Sequence, residues 1–95
     1  MFARTSSWAG SPEALQKWEA NADEVAAMIR RLPGVAGAIF FLDRGDGEAM
    51  TLTLWESEEA ALASDQHAEA SRATTIAATG VELVARGRYE VVARF

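Results

Sequence analysis

Residues 35–59, VAGAIFFLDRGDGEAMTLTLWESEE, decide the architecture. Ile39, Phe40, Phe41 and Leu42 follow one another without a polar residue, the pattern of a strand with apolar contacts on both faces. Asp43-Arg44-Gly45-Asp46-Gly47 contains an Asp-Gly pair and turns the chain as a hairpin. The return strand, 48–56, places Met50, Leu52 and Leu54 on one face and Thr51, Thr53 and Trp55 on the other. Ser57 then offers the hydroxyl of an N-cap, and Glu58 and Glu59 suit the positive end of a helix. The stretch therefore reads as strand, hairpin, strand, helix start.

The same reasoning extends in both directions. Upstream, residues 2–9 alternate as a strand, with Phe2, Arg4, Ser6 and Trp8 on one face and Ala3, Thr5 and Ser7 on the other. Gly10 ends it, and Ser11-Pro12-Glu13 opens a helix. Leu15, Trp18, Ala22, Val25, Ile29 and Leu32 recur every three or four residues, one apolar stripe that runs to about Leu32. Pro33-Gly34 stops it. Downstream of Ser57 the helix is rich in alanine, with Leu62 as its clearest anchor. It either continues or breaks and restarts through His67 to Ala78, and Thr74-Thr75-Ile76 weakens the helical pattern. Gly80 ends the segment. Residues 81–95 form a last strand, with Gly87 as a bulge or bend.

The order is β-α-β-β-α-β, a single α+β domain over residues 1–95. Two helices with one apolar face each must cover the same side of a four-stranded antiparallel sheet, the ferredoxin-like arrangement. The other sheet face then carries part of Ile39 to Leu42 and one set from the third strand, with nothing left in the chain to cover it. A second copy, joined through a two-fold interface, is the simplest cover and makes a homodimer through the open sheet face. The C-terminal strand could reach across such an interface.

Composition narrows the function. A net charge of −5 and the lack of a basic cluster, Arg86 and Arg88 apart, exclude a nucleic-acid partner. The absence of cysteine excludes disulfides, thiolate metal sites and cysteine nucleophiles. No run of about 18 apolar residues exists to span a membrane. MFARTSSW lacks the pattern of a secretory signal, so a soluble cytoplasmic protein is expected. With one histidine and no His-Glu ligand spacing, no metal site is expected.

Leu32-Pro33-Gly34 followed by Gly37-Ala38-Ile39-Phe40, the hairpin, Trp55-Glu56-Ser57-Glu58-Glu59-Ala60 and the closing Tyr89-Glu90-Val91-Val92 carry a resemblance. They resemble the dimeric α/β-barrel superfamily and, within it, the antibiotic biosynthesis monooxygenase-like domains. The resemblance implies a dimeric barrel and an oxygenase that needs no cofactor and acts on a small aromatic or quinone-type metabolite. The superfamily also holds haem-degrading enzymes, isomerases and small-ligand-binding domains, so a non-catalytic binding or accessory role is the alternative. In quinone-forming members a tryptophan at the position of Trp55 lines the substrate cavity. Their asparagine four residues earlier is Thr51 here, and their early helix tyrosine is Ala61. The haem-degrading members carry a first-strand asparagine and a helix tryptophan followed ten residues later by an iron-ligating histidine. Neither feature is present.

The candidate site that follows from the resemblance has Trp55 as wall, His67 as base, and Thr51, Thr53 or Arg72 as hydrogen-bond donors. Trp55 has a plainer reading as an apolar plug at a strand end. Small side chains at Ala60, Ala61 and Ala63 leave room beside it. His67 near a helix end either complements the negative terminus of the dipole or sits in solvent. Arg4 is either a pocket cation or part of the subunit interface.

Overall fold

The computed structural model describes residues 1–95. The chain runs β1 (Phe2–Ala9), α1 (Pro12–Ile29), β2 (Val35–Asp43), β3 (Glu48–Trp55), α2 (Glu58–Ala63), α3 (Asp65–Thr79) and β4 (Glu82–Glu90). The sheet order is β2-β3-β1-β4, with every pair antiparallel. This is the ferredoxin-like order, with all three helices on one face of the sheet.

Local chemistry sets the boundaries. The Ser11 side chain accepts from the Ala14 amide, and Pro12 occupies the first turn of α1. The helix ends at Ile29, one turn earlier than the apolar stripe implies, because Leu32 belongs to the tight turn that leads to Gly34. Gly34 has φ +78°, and a Cβ there would run into that of Ala60 on α2. Ser57 caps α2 by accepting from the Ala60 amide, as its position implies. The second helical segment does break, at Ser64, and the Thr74-Thr75-Ile76 run is helical after all. Thr74 and Thr79 return their hydroxyls to the carbonyls one turn back, which removes their quarrel with the helix. Gly80 ends α3 in the left-handed conformation.

Three expectations need correction. Leu62 is exposed, and the residue of α2 that the sheet buries completely is Ala61. The irregularity of the last strand lies where the pairing with Ser7 and Trp8 skips Val84, not at Gly87. Gly87 is needed because the Tyr89 ring lies over it, where a Cβ would collide with that ring and with the Thr5 hydroxyl. Lastly, β4 stops at Glu90, and residues 91–95 have no regular structure beyond the Val91 amide's bond to the Met1 carbonyl.

The register places Arg4, Ser6, Trp8, Phe40, Leu42, Ala49, Thr51, Thr53, Trp55 and Leu83 on the helix side. Trp8, Ala14, Leu15, Trp18, Ala49 and Val81 form the core, with Phe40, Leu42 and Leu83 against it. All come from one end of the layer: the start of α1, the end of β1, the hairpin end of β2 and β3, and the start of β4. Burying each of these larger side chains contributes about 1.5–3 kcal/mol. The opposite sheet face carries Thr5, Ser7, Ile39, Phe41, Met50, Leu52, Leu54 and Tyr89. Ile39 and Phe41 are 48% and 46% exposed in the single chain, and Phe40 and Leu42 are half-buried, so β2 is not covered on both faces.

Candidate functional site

At the other end of the layer the helices do not close on the sheet. A cavity of about 220 Å³ lies between the second half of α1, the first half of α3 and the helix side of β1 and β3. Its wall includes all three tryptophans, Phe40, and Val25, Met28 and Ile29 of α1. The cavity is hollow where α3 faces it with Ala68, Ala70, Ser71 and Thr75, residues too short to cross the gap; His67, Arg72 and Thr74 complete the α3 lining. The apolar stripe read from the sequence therefore does two jobs: Leu15 packs, Ala22, Val25 and Ile29 line a void, and Trp18 between them does both.

Trp55 faces this space at 2% exposure. Its Nε1 donates to the Thr53 hydroxyl at 2.9 Å, which fixes the indole from its own strand. The Arg4 guanidinium lies 5.7 Å from the ring centroid, within cation–π range. Thr53 is thereby committed to Trp55, whereas Thr51 lines the cavity without a side-chain partner. The expected candidates Trp55, Thr51, Thr53, His67, Arg72 and Arg4 all line the one cavity.

Arg4 is the residue whose local task the sequence did not reveal. It sits on the helix side of β1, away from the open sheet face, and is buried. Its Nη1 donates to the Ser64 hydroxyl at 2.7 Å; its Nη2 donates to the Ala61 carbonyl and to Asp65. Ser64 in turn donates to the same Ala61 carbonyl at 2.7 Å. A short helix such as α2 ends with unsatisfied carbonyls and a negative dipole end. A buried guanidinium answers both needs and holds the α2–α3 break against the sheet. Burial pushes Arg4 below its ordinary pKa; Asp65 pulls it up, and Arg88 and Arg72 push it down.

His67 is the third residue of α3 and lies at the exposed mouth of the cavity. It is at the positive end of that helix, so it does not complement a negative terminus. No protein group fixes its ring. Another feature escaped the sequence reading: Trp8 is 3% exposed, lines the cavity, and its Nε1 is buried without a partner. A buried donor with no acceptor costs about 1–3 kcal/mol, so a ligand acceptor within reach would gain from it. No group of three or more His, Cys, Asp or Glu side chains is arranged to hold a metal ion. No helix is long and apolar enough to cross a membrane.

Residues 1–75 match the family model described as antibiotic biosynthesis monooxygenase. The chain belongs to that family. Solved structures agree on the fold. One is SnoaB, a cofactor-independent oxygenase from Streptomyces nogalater, similar at 18% identity with a TM-score of 0.74 over 98% of this chain and 94% of that one. A variant of MhuD with two manganese protoporphyrin IX molecules bound per active site has 22% identity and a TM-score of 0.78, over 100% and 98%. The ActVA-Orf6 monooxygenase of Streptomyces coelicolor, in complex with nanaomycin D, has 19% identity and a TM-score of 0.70, over 99% and 88%. No curated protein sequence matches the chain.

Proposed function

We propose that this family member is a cofactor-independent oxygenase of a small phenolic aromatic, working as a homodimer. The observation that carries the reading is the aromatic-walled cavity beside Trp55, with Arg4 and Arg72 in its lining. An electron-rich phenol, once deprotonated, reduces dioxygen directly. In an anthrone the reacting methylene supplies every electron needed: one oxygen atom becomes the ring carbonyl and the other leaves as water. The chain then has three tasks. Trp55, Phe40 and Trp18 hold the rings flat and dry. Arg72 and the Thr51 hydroxyl favour the phenolate oxygen. His67 at the mouth takes the phenolic proton and releases it to solvent.

SnoaB is a cofactor-independent oxygenase, and the ActVA-Orf6 monooxygenase holds nanaomycin D in its structure, which supports this choice within the fold. A second reading, binding without turnover, is favoured by His67, whose ring is exposed and unrestrained. Aerobic incubation with a dihydroxyanthrone, followed by quinone absorbance, separates them. An oxygenase gives a rate above background that falls at least about tenfold in Trp55→Phe or His67→Ala. Ligand-induced thermal shifts with no quinone formed would instead establish the binding role.

The dimer rests on the open sheet face. Ile39, Phe41 and Tyr89 are exposed there beside Met50, Leu52 and Leu54, an apolar surface of the kind that soluble chains cover. Sedimentation of the purified chain is expected to show a species of twice the chain mass, reduced to one chain by Phe41→Glu. A cooperatively folded monomer at micromolar concentration would contradict it.

A further inference from the structure

Beside the cavity lies a second space of different character. A groove of about 410 Å³ adjoins it, lined by Arg4, Asp65, Glu69, Arg72, Arg86, Gly87 and Arg88, with no apolar side chain. Arg4 and Arg72 border both spaces, so the aromatic chamber and the polar groove are neighbours across these two side chains. The register explains the gathering. Arg86 pairs with Ser6 and Arg88 with Arg4, so both β4 arginines stand on the helix side of the sheet, next to the start of α3.

Four arginines face two carboxylates in a chain whose overall charge is −5. The pairing within the groove is uneven. Asp65 is taken by Arg4 and by Arg88, whose Nη2 donates to both of its oxygens at 3.1 Å. Arg72 and Arg86 enter none of the structure's ion pairs. Both line the groove; burial lowers the Arg72 pKa most, the charge of Arg86 lowers it further, and Glu69 and Asp65 raise it. Two guanidiniums that repel each other at the rim of a ligand cavity gain from a shared anion. The two coplanar oxygens of a carboxylate match the guanidinium fork.

We propose that the occupant of this site is an aromatic acid, with its rings in the cavity against Trp55 and Phe40 and its carboxylate in the groove between Arg72 and Arg86. This inference rests on the aromatic-cavity reading above and adds a charge to the substrate. It also gives the ligand a direction: the acid end lies toward β4, and the far ring toward α1. The field of the arginine cluster draws such anions to an otherwise acidic protein.

Calorimetric titration with 2-naphthoic acid and with its uncharged amide tests this, because the two have nearly the same shape. The acid is expected to bind about tenfold more tightly than the amide at low salt, with the ratio shrinking as salt is added. In Arg72→Gln/Arg86→Gln the ratio should fall to near one, and in Arg86→Glu it should reverse. Far-UV circular dichroism of each variant confirms that it is folded. Equal affinity of acid and amide in the wild type, or an unchanged ratio in the double variant, overturns the acid subsite and leaves the aromatic cavity standing. Binding of neither compound overturns both.

Discussion

The two ends of the helix–sheet layer are made from the same elements and have opposite interiors. At the hairpin end, the first turns of α1 set Ala14, Leu15 and Trp18 against Trp8, Ala49 and Val81, and the Trp18 and Phe40 rings meet at 5.9 Å between centroids. At the far end, the later turns of α1 continue the same stripe, but α3 answers with alanine, serine and threonine. The first end gains stability from large side chains meeting large ones. The second end gives up that gain, since small side chains on one wall leave dispersion contacts unmade. What keeps the hollow end from collapsing is polar: the Arg4 clamp on Ala61, Ser64 and Asp65, and the Thr53 bond to Trp55. The difference teaches that a helical stripe shows which face turns inward, not whether the inside is filled.

Truncation should expose this contrast most strongly. Leu15→Ala, at the packed end, is expected to cost about 2–5 kcal/mol in urea unfolding. Val25→Ala, on the same helix face but half-buried against the cavity, should cost under about 1 kcal/mol. Equal losses would show that the two ends are packed alike. Arg4→Met comes next. It keeps much of the volume but leaves the Ala61 carbonyl and the Ser64 hydroxyl without their charged donor, at about 2 kcal/mol. Since Asp65 is half exposed, its share of that loss is small.

Enlargement sharpens the comparison from the other side. Ala14→Leu should destabilise by about 1–3 kcal/mol, because Gly10 and Val81 crowd the site. Ala22→Leu should change stability by less than about 0.5 kcal/mol while abolishing binding of an aromatic probe, because the added carbons enter the cavity. Ser57→Ala bears on neither end. It removes the cap of α2 at a cost of about 1 kcal/mol and leaves both interiors intact.

How much of this was legible in the sequence follows the same division. Strand alternation, caps and element order are readable because they rest on local rules: alternation in 2–9 and 48–56, Ser11 and Ser57 before their helices, Gly34 and Gly80 after them. The alternation groups Trp55 with Thr51 and Thr53, but which sheet face the set takes is not legible, because both faces read as apolar; the strand pairing puts it on the helix side. Arg4 could not be assigned its task, since its partners lie about sixty residues away and meet it only through the β1–β3 and β1–β4 pairings. Leu62 was misread because a large apolar residue on a short helix looks like an anchor, while tight approach to the sheet selected Ala61 instead. The arginine groove escaped for a related reason: residues 4, 65, 72, 86 and 88 are close only after both crossovers have been made.

The central claim is that the hollow end holds an aromatic guest against the indole rings that line it. The three indole N–H signals of the ¹⁵N-labelled protein report on it directly, since Trp8, Trp18 and Trp55 all line the cavity. On titration with a dihydroxyanthrone without dioxygen, the Trp8 and Trp55 signals should shift and saturate at one guest per chain, and Ala22→Leu should abolish the shifts. Three indole signals that stay unmoved at millimolar guest would contradict the account.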